Sequence, residues 1–289
     1  MAAEHPGSNR SALKRAIWRC MSRTVAGSVA TRLAISRGKG LRRIFADGEV
    51  WIHQTDSGCF AYQQPYIRLD LQEFEDSTRR NFFWGYKPKA GDVVIDVGAG
   101  VGEETLTFSK AVGSRGKVIC IEAHPKTYAC LQALVRYNRL DNVMTVQQAV
   151  TEPSQADATI DDSDHYLSNR LGKTGGILVS ATTVDAIRRG LGLDRIHFLK
   201  MNIEGAERLA IRGMTETIQR TEILCICCHD FLAKENGDEW LRTKRVVREY
   251  LERSGLRVVE RSEAGAPAYI NDQIWAINPH LVSRQQAVA

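Results

Sequence analysis

Beyond Gly91 the chain alternates short apolar runs with stretches of helical spacing, and this alternation limits the fold more than any other feature of the sequence. Apolar runs fall at 93–97, 118–121, 143–146, 198–203 and 223–228. Helical patterns at 103–111, 125–139, 183–189, 206–214 and 238–253 separate or follow them, with Pro125 at a first helical position, where a missing N–H costs nothing. Strands joined through helices run parallel, because the helix carries the chain back across the sheet before the next strand starts. Two more runs, 257–261 and 268–277, are joined by a Gly/Ala/Pro loop, which predicts an antiparallel pair at one edge. The expectation is an α/β domain with a Rossmann-like, mostly parallel sheet of seven strands and helices on both faces.

That domain spans 91–279. Ahead of it, 50–60 read as a short hairpin and 70–84 as a helix, so that 49–90 form a cap, 1–48 a basic helical extension and 280–289 a flexible tail. The stretch 151–182 is polar and rich in turn formers, a length that marks a functional loop in a compact domain. With 289 residues, 43% of them hydrophobic and 25% charged, the chain has ordinary globular composition, which excludes disordered and collagen-like chains. It has no uninterrupted apolar run of roughly 18 residues and no apolar core of a secretory signal, so a cytoplasmic location is expected. The seven cysteines are odd in number and sit mostly within apolar segments, which argues against a disulfide framework.

The net charge of +5 is unevenly placed: every charged residue from Arg10 to Arg43 is Lys or Arg, and the remainder is near neutral. Leu13, Ile17, Cys20, Met21, Val25, Val29 and Leu33 recur at helical spacing among Lys14, Arg15, Arg19 and Arg23, the pattern of a basic amphipathic helix. Two uses fit it. The stripe can pack on the domain with its charges in water, or the segment 10–43 can make a peripheral membrane contact, with the basic face on anionic headgroups. Nucleic acid is the poorer partner, because the run of interleaved aromatics that base stacking calls for is missing.

Asp96-Val97-Gly98-Ala99-Gly100-Val101-Gly102 lies between the first strand and the first helix of the domain. Glycines there let the backbone approach a ligand and the helix beyond presents free N–H groups, so a nucleotide-like ligand is implied. A dinucleotide turn would place its third glycine at 103, where Glu103 stands and would repel a diphosphate. Asp96 ends the first strand and Glu122 the second, where an acid can accept both hydroxyls of a ribose. Two acids around a neutral turn built from Gly98, Ala99, Gly100 and Gly102, with Ala123 following, suit a cationic sulfonium that carries adenosine and an amino-acid tail. S-adenosylmethionine has that chemistry. Gln147 and Gln148 close the third strand, placed either to meet the adenine edge or to stay in water.

Four motifs in order, GDVVIDVGAGVG from Gly91, CIEAHP ending at Pro125, LSNRL from Leu167 to Leu171 and FLKMNIEGAE from Phe198 to Glu207, resemble those of the FkbM-type family of S-adenosylmethionine-dependent methyltransferases. The resemblance covers about 91–229 and implies a class I methyltransferase fold. It also implies an O-methyltransferase whose small-molecule acceptor is a hydroxyl of a sugar, glycolipid or other secondary metabolite. Asn202 departs from the pattern, standing where members usually carry Asp. A neutral amide is a poor base and a weak ligand for a hard cation, so no catalytic metal is expected.

Ligands of open α/β sheets bind beyond the carboxyl ends of the strands. That selects Asn202 and Glu204 after the fourth strand and His229 and Asp230 after the fifth. His229, ordinarily titrating near neutrality, is the expected general base; Glu204 would hold the acceptor hydroxyl, and Glu207 would complement a helix N-terminus. Ser168 and Asn169, in the long loop, and Asp230 are expected to bind a polyhydroxyl acceptor. Cys225, Cys227, Cys228 and His229 do not read as a zinc site, because a strand sends neighbouring side chains to opposite faces. Two rival readings are a cofactor-binding fold without catalysis and an RNA methyltransferase; the Asn/Asp-Pro-Pro-aromatic signature of many base N-methyltransferases is missing. Oligomeric state is left open.

Overall fold

The computed structural model describes residues 22–36, 40–67, 69, 71–162, 171 and 176–282. The chain divides into two compact units, Met1–Leu71 and Gln72–Ala289.

In the first unit a helix, α1 (Arg23–Ile35), precedes an antiparallel meander of β1 (Leu41–Asp47), β2 (Val50–Thr55) and β3 (Cys59–Tyr62). The expected hairpin thus has a third strand, taken from the segment read as basic extension, and the expected boundary at 48/49 falls in the turn between β1 and β2. The face that α1 buries is Ala26, Gly27, Ala30 and Ala34, whereas Val25 and Leu33 of the expected stripe are exposed. Close approach is the cause. A Cβ on Gly27 would stand 2.9 Å from the Ile44 carbonyl oxygen, and the Thr31 hydroxyl accepts the Ile44 N–H at 2.8 Å. Only small residues fit between a helix and a strand this near. Leu13, Ile17, Cys20 and Met21 lie outside the described residues.

His53 sits fully buried in β2. Its Nδ1 lies 3.1 Å from the Trp51 carbonyl oxygen and its Nε2 accepts the Tyr66 N–H at 2.9 Å, so a neutral ring with its proton on Nδ1 is satisfied at both nitrogens. Burial pushes its pKa down to about 4.

A helix, α2 (Leu71–Phe82), begins at the last residue of the first unit, and the second unit then alternates as the sequence predicts: β4 (Val93–Val97), α3 (Thr105–Val112), β5 (Lys117–Ile121), α4 (Pro125–Asn138) and β6 (Val143–Val146). Next come β7 (Ala149–Val150), β8 (Asp157–Ile160) and β9 (Ile177–Thr182). The remainder is α5 (Val184–Gly190), β10 (Ile196–Met201), α6 (Glu207–Ala210), α7 (Thr215–Gln219), β11 (Thr221–Cys227), α8 (Asp230–Asn236), α9 (Lys244–Arg253), β12 (Arg257–Glu260), α10 (Ala268–Asn271) and β13 (Gln273–Ile277). The main sheet has seven strands in the order β12-β13-β11-β10-β4-β5-β6. Neighbours from β11 to β6 are parallel, and β13 runs antiparallel to both β11 and β12.

Successive strand residues feed two cores. Ile95, Ile119, Leu199 and Leu224 face one side, while Val94, Val118, Phe198 and Cys225 face the other, where Phe82 and Phe108 pack. Differences from the sequence reading are local. The stretch read as a polar loop contains β8 and β9, which pair with each other and, through β9, with β7 as a small second sheet. The first half of the run 268–277 is the helical turn α10, and neither α7 nor α8 was foreseen. Asp230 opens α8, but its carboxylate accepts the Thr243 and Lys244 N–H groups at 2.8 and 3.1 Å, so it caps α9 instead of facing a substrate as expected.

Asp96, expected at the cofactor, lies elsewhere. It pairs in register with Lys200 across β4 and β10, and both side chains are buried, with Lys200 Nζ 2.8 Å from Asp96 Oδ1 and 2.9 Å from the Gly98 carbonyl oxygen it donates to. Burial alone would lower the Lys200 pKa, but Asp96 and Glu104 outweigh it and keep the ammonium charged. A carboxylate at the end of a central strand is here consumed by a cation one strand away.

Breaking a buried pair strands a charge, at about 3–5 kcal/mol. Lys200→Met should therefore lower stability in urea unfolding by that order, and adding Asp96→Leu should restore part of the loss; no recovery would mean that Asp96 has another partner. For His53, burial as a neutral ring means that the stability it confers is present above about pH 6.5 and is lost, up to about 3 kcal/mol, as pH falls toward 4. Its ring resonances should titrate with a midpoint near 4 in NMR spectra of the folded chain. An ordinary midpoint near 6.5 would refute neutral burial.

Candidate functional site

A cleft with a cavity volume of about 110 Å³ opens at the carboxyl ends of β4, β5 and β10. Gly98, Gly100, Glu122, Ala123, Gln148, Asn202 and Glu204 line it, all of them singled out from the sequence. His124, Val150, Ile160, Leu171, Ile203 and Ala206 add to the apolar and polar wall, with Val97, Ile121 and Ala149 at the strand ends, and were not. His124 had a signal in the CIEAHP motif and Leu171 in LSNRL, whereas Ile160 lay in the stretch read as polar loop. Ser168 and Asn169 lie outside the described residues.

The glycine turn is fixed by the protein before any ligand enters. The Gly98 and Ala99 N–H groups donate to the Ile121 carbonyl at 2.9 and 3.0 Å, which binds the turn to β5. Gly98 has φ +75°, and a Cβ there would stand 2.0 Å from the Asn202 carbonyl oxygen. No other residue fits. A Cβ on Gly102 would meet Leu131 of α4 at 3.0 Å, and Ala99 is buried, so these two serve packing and do not line the cleft. Gln147 is exposed and also lies off the cleft, because Gln148 takes the inward position at the end of β6.

Glu122 holds the rim from the other side. One carboxylate oxygen accepts the Gly100 N–H at 2.9 Å and the other accepts the His124 N–H at 2.9 Å. Burial raises its pKa, and these two N–H groups oppose the rise. Each oxygen keeps a further lone pair for a ligand hydroxyl. His124 in turn lies 3.2 Å from Asp162, which also accepts from Lys126 at 2.7 Å, so the end of β8 is tied to the start of α4.

The second carboxylate of the cleft, Glu204, follows β10 in the left-handed region with φ +52°, rare for a residue with a side chain. Glu207, fully buried, imposes it: its two oxygens accept the N–H groups on either side of Glu204, from Ile203 at 3.0 Å and Gly205 at 2.9 Å. Gly205 is needed beside it because a Cβ would stand 2.8 Å from the Trp240 ring. His229 Nε2 lies 3.2 Å from Glu204 and its Nδ1 3.4 Å from Glu207. Burial would lower the His229 pKa, but the carboxylates of Glu207 and Glu204 override it and push it up to about 11. A ring that keeps its proton at neutral pH is no general base. That expectation is corrected: His229 is buried, off the cleft, and acts on Glu204.

S-adenosylmethionine fits the cleft on the chemistry of its walls. Ile121, Val150, Ile160 and Leu171 offer an apolar slot for a base, Glu122 offers lone pairs for ribose hydroxyls, and the Asn202 side-chain oxygen, buried without a hydrogen-bond partner, offers an acceptor for an ammonium. The acidic walls favour a cation over a phosphate. Asp96, sealed against Lys200, takes no part in lining it.

No curated protein sequence matches the chain. Among solved structures it is similar to a methyltransferase FkbM from Methylobacillus flagellatus (18% identity, TM-score 0.44, covering 65% of this chain and 44% of that one). It is also similar to Aeropyrum pernix fibrillarin in complex with S-adenosyl-L-methionine (13%, 0.43, 79% and 94%) and to a SAM-dependent methyltransferase from Aquifex aeolicus (18%, 0.40, 72% and 97%). The chain thus spans less than half the length of the Methylobacillus protein. The methyltransferase FkbM domain matches residues 96–257, more than half of the 289. That span takes in the glycine turn, both cleft carboxylates and the His229 contact, and the chain belongs to the FkbM family of S-adenosylmethionine-dependent methyltransferases.

Proposed function

We propose that the chain methylates a hydroxyl oxygen of a sugar, glycolipid or other secondary metabolite. The observation that carries this reading is Glu204. Of the two carboxylates lining the cleft among the described residues, Glu122 spends an oxygen on each of two backbone N–H groups, whereas Glu204 is held only by His229 and keeps an oxygen for a substrate. A hydroxyl that gains a methyl group must release its proton, and a positioned carboxylate can both orient the hydroxyl and take that proton.

In this reading S-adenosylmethionine, when bound, supplies the electrophilic methyl group. Gly98, Gly100 and Ala123 give it a wall without bulk, Glu122 holds ribose hydroxyls, Gln148 borders the base and Asn202 receives the ammonium. Glu204 receives the acceptor hydroxyl and its proton. His229 is a positioning residue: its imidazolium holds the Glu204 carboxylate in place, while Glu207 fixes the backbone beneath. Cys225 and Cys227 belong to β11 and Cys228 follows it in the core, and none of them enters these roles.

Comparing small molecules from cells with and without the protein by mass spectrometry should reveal a metabolite heavier by one methyl group. With that acceptor, Glu204→Gln should reduce kcat by about 10²–10⁴-fold, the usual worth of a positioned base, with S-adenosylhomocysteine binding unchanged in calorimetry. Full turnover in Glu204→Gln would reject the assignment. His229, raised to about 11, contributes its ion pair fully below about pH 6.5 and loses it only as pH rises through 11. The kcat/KM profile should accordingly show no histidine limb near 6.5; such a limb, abolished in His229→Gln, would return the base role to the imidazole.

A further inference from the structure

The solvent side of α1 is the opposite of what a surface helix usually shows. Its small residues face inward, and its large apolar ones face out: Val25 is 51% exposed, Leu33 39% and Ile35 54%. Val25, Val29 and Leu33 are spaced four apart, so they form one ridge along the helix, with Val29 half-buried and Arg32 beside it. Large aliphatic side chains held in water are costly, at about 25 cal/mol per Å², and a contiguous ridge of them marks a contact surface.

Next to the ridge runs a groove between α1 and β1, lined by Arg23, Arg32, Arg42 and Arg43 together with the Thr24 and Ser28 hydroxyls. Arg42 is engaged by Asp56 at 2.6 Å. Arg23 lies over the Trp51 ring and Arg43 over the Phe45 ring, at 5.1 and 4.8 Å, so the guanidinium groups are outermost and the rings lie beneath them. Arg23 donates to the Gly48 carbonyl and faces Glu49 at 4.0 Å, while the sequence leading into the groove is one-signed, since from Arg10 to Arg43 every charged residue is Lys or Arg. The four-residue spacing of the ridge also continues upstream in sequence as Met21, Ile17 and Leu13.

We propose that the N-terminal unit docks on an anionic lipid surface, with the guanidinium groups of the groove on lipid phosphates and the Val25–Val29–Leu33 ridge in the headgroup boundary. A nucleic acid would use the same arginines. It would leave the aliphatic ridge without a function, and the aromatic rings that could stack on bases lie under guanidinium groups. Lipid uses both features. No helix among the described residues is long and apolar enough to cross a membrane, so the contact is one of surface docking.

The test uses the full chain and vesicles of equal parts phosphatidylcholine and phosphatidylserine, with phosphatidylcholine alone as control. Sedimentation should show binding to the anionic vesicles only, weakening with salt, and falling about fivefold for each arginine reversed in Arg32→Glu and Arg43→Glu. The double substitution Val25→Asp with Leu33→Asp, at exposed positions and with an unchanged melting curve, should abolish it. Absence of binding at low salt, equal binding to both vesicles, or full binding by the Val25→Asp, Leu33→Asp chain would overturn the proposal. So would tight, salt-sensitive retention of a duplex RNA probe in the absence of vesicle binding. None of these readouts depends on methyl transfer, so failure here leaves the catalytic assignment intact.

Discussion

One ammonium group, shut inside the sheet, ties the two central strands together at the point where the cleft begins. Lys200 reaches from β10 to the carboxylate of Asp96 on β4 and to the carbonyl of Gly98, the first residue of the turn that follows. Such a pair is a poor source of net stability, because desolvating two charges offsets most of their attraction. What it supplies is placement. The strands cannot slide without exposing a charge to an apolar interior, and the glycine turn therefore starts from one position. From that point the Gly98 contact with the Asn202 backbone follows, since the loop after β10 crosses directly over the turn after β4.

The cleft repeats this economy with its own acids. Glu122 spans the turn and the start of α4, Glu207 holds the two N–H groups around Glu204, and the imidazolium of His229 faces both Glu204 and Glu207. Most of the acidic side chains near the carboxyl ends of the strands are thus occupied by the protein itself. Glu204 stands apart because the groups that hold it act on its backbone and on one side of its carboxylate.

The number and direction of the strands in the main sheet were legible because continuous Val- and Ile-rich runs separated by helical spacing admit few arrangements. Gly98, Gly100, Glu122 and Glu204 were legible because a turn that meets a ligand and a strand-end acid have fixed sequence offsets. Asp96 and His229 were misread for a common physical reason. Each was assigned by its place at a strand end, but its role is set by a partner distant in sequence: Lys200 for the first, and Glu204 with Glu207 for the second. Charge pairing across strands leaves no periodic trace. Asp230 failed in the same way, its carboxylate being turned toward a helix that begins fourteen residues later. The α1 stripe left its two uses open because helical spacing identifies a face without saying whether it points inward, and Gly27 against Ile44 decides that question by distance.

The conformation of Glu204 sets two demands against each other at one position. Its backbone geometry suits glycine, and a side chain there costs about 1–2 kcal/mol. Glu204→Gly would relax the backbone there, but it would also remove one of the two carboxylates that face the buried His229 ring. The charge of Glu204 and the strain of its backbone thus meet at one residue, the first held by His229 and the second by Glu207 on the same short turn.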